Sequence, residues 1–171
     1  MSSCRALTDE ELLRVRRSFG GTFARRDEAL FMLGVKAGFR ISELISLRVK
    51  DVVQYGKIAD RVEVARQHMK GKQRSRSVPL HPEARQALAG WLPLLQNRLG
   101  GVLPGETPVF CSRVKETTTG LPRAISREQG WRILKETFET NELSGKTATH
   151  SLRKTFAARV HAAYGGDLRK T

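Results

Sequence analysis

Apolar residues along most of this chain return every three to four positions, the period of a helix with one buried face, and in one stretch they alternate instead. Leu30, Leu33 and Ala37 share a face of a helix predicted over about residues 26–37, with Gly38 at its C-terminal exit. Leu44 and Leu47 turn inward from a short helix predicted over about 41–47, so Arg40 falls at the junction of two helices. Leu88, Leu92 and Leu95 line a helix opened by His81-Pro82-Glu83, with proline at its first position. Pro93 is expected to kink that helix or end it early. Leu152, Phe156 and Val160 form the inward face of a last helix, about 151–163, stopped by Gly165-Gly166.

Polar punctuation sharpens these boundaries. Thr8-Asp9-Glu10-Glu11 is a capping box and starts a helix that should run to about residue 19, where Gly20-Gly21 ends it. Ser126-Arg127-Glu128-Gln129 is a second box, opening a helix to about residue 140. Between residues 52 and 80 the period changes. Val62 and Val64 alternate with polar residues, and Ser77-Val78-Pro79-Leu80 reads as a returning strand, which predicts a β-hairpin with its tip near 70–74. Residues 100–105 read as a loop, Pro108-Val109-Phe110 as a short extended piece, and 112–121 as a polar, mobile loop. The fold class is therefore α+β, mainly α, with a small antiparallel sheet over about 57–80 at one edge. No repeat or linker divides the 171 residues, which are expected to form one domain.

Charge narrows the partners. Thirty-one Lys and Arg against seventeen Asp and Glu leave a net charge of +14, which points to a polyanion, most often nucleic acid. The excess is local: no acidic residue occurs from Val64 to Pro82, while Arg66, His68, Lys70, Lys72, Arg74 and Arg76 all do. Such a run is either a phosphate-facing surface or a solvated strand edge protected by charge, and its density favours phosphate. Cys4 and Cys111 have neither metal-ligand nor disulfide-framework spacing, so no metal is expected and a reducing compartment fits. No apolar run approaches membrane-spanning length and no signal peptide is apparent, which predicts a cytoplasmic or nucleoid location without membrane contact.

One pair of residues carries candidate chemistry. His150 and Arg153 stand at i, i+3 at the start of the last helix, which puts an imidazole and a guanidinium side by side on one face. Together they are able to grip a phosphate, the arginine as a planar fork and the histidine as a proton carrier.

Taken together these segments resemble the catalytic domain of the tyrosine recombinases, the phage-integrase family, over nearly the whole chain. Gly38-Phe39-Arg40-Ile41-Ser42-Glu43-Leu44 resembles the family's first box, whose arginine is catalytic, and His150-Ser151-Leu152-Arg153 resembles the second. The hairpin from Lys70 to Leu80 is similar to the element carrying the catalytic lysine. The resemblance implies double-stranded DNA as partner, and strand cleavage and rejoining through a 3′-phosphotyrosyl link, with no cofactor. It implies that Arg40 and Arg153 hold the phosphate, that a lysine protonates the leaving 5′-oxygen, that His150 helps move protons and that Glu43 orients the site. Lys70 is the preferred lysine, with Lys72 the alternative, because the family's usual position falls on Gly71 between them. Arg66, Lys72, Arg74 and Arg76 are the expected DNA-contacting residues.

The chain departs from the family pattern at both ends. Neither the amino-terminal core-binding domain nor the segment with the nucleophilic tyrosine is recognisable, and the two tyrosines, Tyr55 and Tyr164, do not stand at the nucleophile's place. The chain alone is thus expected to be a monomer that engages DNA without cleaving it. A stand-alone DNA-binding or regulatory fragment is the competing expectation.

Overall fold

The computed structural model describes residues 4–64, 76–115 and 118–165. Helix α2 (Ala24–Ala37) is the axis of the core: Ala29, Leu30, Phe31, Met32, Leu33 and Val35 are at most 2% exposed. Consecutive apolar residues bury on every side because other helices surround them. Helices α1 (Asp9–Ser18), α3 (Ile41–Ser46), α5 (Pro82–Arg98) and α7 (Thr149–Ala163) all pack on α2, a single turn, α4 (Val49–Val52), follows α3, and α6 (Arg127–Thr140) closes the layer over α1, α3 and α7.

Both predicted capping boxes form. Glu11 N–H donates to Thr8 Oγ1 at 3.2 Å while Thr8 N–H donates to Glu11 Oε2 at 2.9 Å, and Ser126 and Gln129 exchange bonds of 2.9 and 3.0 Å. Gly38 ends α2 in the left-handed conformation, φ 66°, with its N–H on the Gly34 carbonyl. Pro93 does not end α5, which runs on to Arg98. Trp91, Leu92 and Leu95 are at most 5% exposed, and that burial outweighs the hydrogen bond proline removes. In α7, Leu152 is buried as predicted, but Phe156 and Val160 are only half-buried and Ser151 and Thr155 share the inner face. Thr155 can be buried because its hydroxyl donates to the Ser151 carbonyl and accepts from Leu7 N–H at 2.8 Å.

The strands form three separate two-stranded antiparallel ladders among the described residues. β1 (Val53–Gln54) and β2 (Lys57–Ile58) are joined through Tyr55 and Gly56, both at positive φ, the signature of a tight hairpin turn. The predicted sheet over 57–80 is thus divided, for β2 turns back to β1 and only β3 (Arg61–Val64) pairs with β4 (Arg76–Pro79). The third ladder, β5 (Cys111–Lys115) with β6 (Pro122–Ala124), occupies ground expected to be a polar loop. Its ends are fixed by core residues: Phe110 and Ile125 are 0% and 2% exposed, and Ile125 N–H donates to the Phe110 carbonyl at 2.8 Å. Polar residues between two buried anchors therefore still form a ladder.

Two glycines set how closely α2 and α7 approach. A Cβ on Gly34 would lie 2.5 Å from Leu152 Cδ1, and one on Gly38 would lie 2.4 Å from Phe156 Cδ1. The C-terminal half of α2 and the first turns of α7 therefore meet almost backbone to side chain. Segments far apart in sequence share one end of the core.

Candidate phosphate-binding site

At that end the chain leaves α2 through Gly38, buries Phe39 and begins α3 with Arg40 as its N-cap. Glu43, in the first turn of α3, is fully buried. It accepts the Arg40 backbone N–H at 2.7 Å on Oε2 and Arg40 Nη1 at 3.2 Å on Oε1. A buried carboxylate is tolerable only when donors and positive charge surround it. Here the carboxylate caps the helix and steadies the guanidinium at once, while Arg40 stays 47% exposed.

Arg153 reaches the same place from α7. Its Nη1 donates to the Gly38 carbonyl at 2.9 Å, across 115 residues of sequence. Partial burial pushes its guanidinium below the usual arginine range, and the nearby Arg40 and Arg76 push the same way while Glu43 opposes them. Arginine stays charged under any ordinary condition, so the useful content is proximity. Three guanidiniums and one carboxylate share a neighbourhood of net positive charge, suited to an anion. His150 is exposed on the first turn of α7, one turn before Arg153.

Arg76 belongs to this cluster more intimately than the sequence suggested. Expected among the DNA-contacting residues of the hairpin, it is half-buried on the Val78 face of β4. Its Nη2 donates to Glu43 Oε2 at 3.2 Å, and its guanidinium lies over the Phe39 ring at 5.8 Å from the centroid. Strand alternation held the signal: Arg76 and Val78 are two apart, so whatever face buries the valine receives the arginine. Lys70, the preferred general acid, and its alternative Lys72 lie outside the described residues, as do Arg66 and Arg74. Of the predicted site, the structure thus brings together Arg40, Glu43 and Arg153, with His150 one helical turn away, and brings Arg76, expected among the DNA-contacting residues, onto Glu43 as well. Among the described residues no cluster of His, Cys, Asp and Glu is arranged to hold a metal, and no helix is long and apolar enough to cross a membrane.

Comparison with known proteins gives the family and the fold. The profile of the phage integrase family matches residues 7–169. The tyrosine recombinase XerC of Pseudomonas aeruginosa is 35% identical over 151 residues, which cover 85% of this chain and 42% of that protein. Among solved structures, the XerA recombinase superposes with a TM-score of 0.72 at 22% identity, over 98% of this chain and 54% of its own. The XerH site-specific recombinase, bound to its difH substrate before cleavage, gives 0.67 at 20% identity, over 94% of this chain and 43% of its own. The chain spans about half the length of the recombinases it matches, or less.

Proposed function

The chain belongs to the phage integrase family, and from that premise we propose that it is the DNA-engaging catalytic part of a tyrosine site-specific recombinase. The observation that carries this reading is the convergence of Arg40 and Arg153 at the Gly38 turn. Two guanidiniums from segments more than a hundred residues apart in sequence meet at one turn. One is braced by a buried carboxylate, the other by a main-chain carbonyl.

In this reading the anion is a phosphodiester of duplex DNA. Arg40 and Arg153 contact its non-bridging oxygens, whose charge rises as a tyrosine hydroxyl attacks the phosphorus. Attack forms a 3′-phosphotyrosyl bond and releases the 5′-oxygen, which Lys70 or Lys72 protonates. His150, beside Arg153, moves protons at the same phosphate. Rejoining runs the same steps backward, so no metal or nucleotide is needed to conserve the bond energy. The related XerH structure, with its difH substrate, supports DNA as the partner.

The reading requires a tyrosine other than the two present. Tyr55 is fully exposed at the β1–β2 turn. Tyr164 is the C-cap of α7, and α7 is continuous from Thr149 to Ala163, so its eleven-residue offset from Arg153 is about 16 Å along the helix axis. This placement favours a second reading for the isolated chain, as a fragment that binds DNA without cutting it. Fluorescence anisotropy with duplex DNA tests the binding, and a nicked suicide substrate resolved on a denaturing gel tests the chemistry. Salt-sensitive binding with no covalent adduct is expected. A flat salt response contradicts the phosphate reading, and an adduct abolished by Tyr164→Phe contradicts the placement of the nucleophile.

A further inference from the structure

Glu43 is the carboxylate of this site, and it has two guanidiniums where one would balance its charge. Its Oε2 accepts both the Arg40 backbone N–H and Arg76 Nη2, and its Oε1 accepts Arg40 Nη1. In the proposed reading Arg40 must also reach outward to a phosphate. If Arg40 were the sole cation on Glu43, each movement onto DNA would leave a fully buried carboxylate undercompensated, at a large cost. The two tasks would compete.

Arg76 removes the conflict. It lies on the inner face of β4 beside Val78, the first described residue of the returning strand. Its register partner is Val64 on β3. The Nε is buried and has no hydrogen-bond partner among the described residues. A buried donor left unpaired is destabilising, so the Nε does not explain where Arg76 sits. Glu43 and the Phe39 ring do.

We propose that Arg76 is a positioning residue: it anchors the returning strand of the hairpin to Glu43 and shares that carboxylate, which frees Arg40 to lean onto a phosphate. This rests on the reading that Arg40 grips a phosphodiester. The strand leading from the basic run is then pinned to the box that holds Arg40, so hairpin and box take up DNA together. The cluster also keeps two positive charges in excess of its one carboxylate, which matches the dianionic charge of a pentavalent phosphate better than the single charge of the ground state.

The test compares the parent with Arg76→Gln, Arg76→Lys, Glu43→Gln and the Arg76→Gln/Glu43→Gln double variant. Melting temperature and duplex affinity at two salt concentrations are the readouts. Arg76→Gln is expected to lower the melting temperature by several degrees and to weaken duplex binding about tenfold. In the Glu43→Gln background, where no buried charge needs sharing, the same change should cost less than half as much in both readouts. Arg76→Lys, which keeps a charge without the planar fork, should recover part of the melting temperature. That variant keeps the test open should Arg76→Gln fail to fold. If Arg76 instead touches DNA directly, its loss lowers the log–log salt slope by about one, equally in both backgrounds, and leaves the melting temperature alone. That additive pattern, with the parent still binding DNA, overturns the proposal by itself. A parent that binds no duplex overturns the phosphate reading beneath it, and the proposal with it.

Discussion

Replacing Gly38 by alanine tests whether one glycine holds the two arginines together. Three contributions are readable. Gly38 sits at φ 66°, where a residue with a Cβ is disfavoured by about 1 kcal/mol or slightly more. The new Cβ would lie 2.4 Å from Phe156 Cδ1 and 2.9 Å from Cε1 and Cγ. Restoring ordinary contact needs a shift of about 1 Å, and overpacking of this kind costs about 1–3 kcal/mol. Alanine recovers about 0.4–1 kcal/mol by restricting the unfolded chain. The expected loss is thus about 2–3 kcal/mol, readable as a lower urea midpoint at unchanged slope. Phe156 stands three residues from Arg153 on α7, and Arg153 Nη1 bonds the Gly38 carbonyl, so duplex affinity should fall as well. Gly21 is the control: its φ is 77° with nothing within 4 Å of an added Cβ, so Gly21→Ala should carry only the backbone part less the same unfolded-chain gain, a net cost below about 1 kcal/mol, and leave DNA binding intact. Adding Phe156→Leu to Gly38→Ala should return much of the steric part. A Gly38→Ala protein no less stable than Gly21→Ala would refute the close-approach argument.

Further outcomes are expected elsewhere. Arg40→Ala and Arg153→Ala should each weaken duplex binding and reduce the salt slope by about one, because each deletes one phosphate contact; unchanged slopes in anisotropy titrations would sink that assignment. Replacing Lys72 and Arg74 together by alanine should lower both affinity and slope, and unchanged binding by a folded variant would leave the hairpin's charge a solubilising edge. Glu11 is held down to about 2, chiefly by its hydrogen bonds from Arg5, with its capping bonds to Thr8 assisting and burial opposing. A carboxyl depressed in the folded state stabilises above its unfolded value near 4.5 and loses that stability as pH falls from there toward 2. With Arg5 31% exposed, screening reduces the contribution to about 1–2 kcal/mol, so the parent's stability should decline over that interval more steeply than that of Glu11→Gln. Parallel pH curves for the two proteins would show the pair contributes nothing.

Local signals recovered what is local here. The Thr8–Glu11 and Ser126–Gln129 boxes, the Gly38 exit and the proline opening of α5 are each decided within one turn, so four or five residues suffice to read them. Of the two outcomes expected at Pro93, early termination does not occur, because the local penalty is set against burial contributed by distant helices. Residues 112–121 misled for a related reason, since the anchors that zip β5 to β6 are Phe110 and Ile125, outside the polar stretch. In the site, Arg40 and Glu43 are neighbours on one short helix and were legible together. Their relation to Arg153 was legible only through the family resemblance, because no periodicity links segments 115 residues apart. The basic run groups Arg76 with the DNA-contacting cations, and its tie to Glu43 is not legible there because its face is set by Val78 two positions on.

The core explains why the site forms at this end of the molecule. A cluster of guanidiniums repels itself and cannot organise its own fold, so its geometry must be imposed by parts that are stable without it. The apolar residues of α2, buried on all sides, supply the rigid element, and Gly34 and Gly38 let α7 approach it more closely than any side chain would allow. The carbonyl of Gly38, freed by the left-handed turn, then becomes the acceptor that aims Arg153, and the next two residues bury Phe39 and place Arg40. Glu43, placed by the short helix that Arg40 begins, offsets enough of the repulsion for three arginines to coexist. Affinity for an anion is therefore what remains after the fold has met its own electrostatic needs. Substitutions at Gly38 or Glu43 should accordingly change anion binding and stability together, whereas substitutions of outward cations that no carboxylate holds should change binding alone.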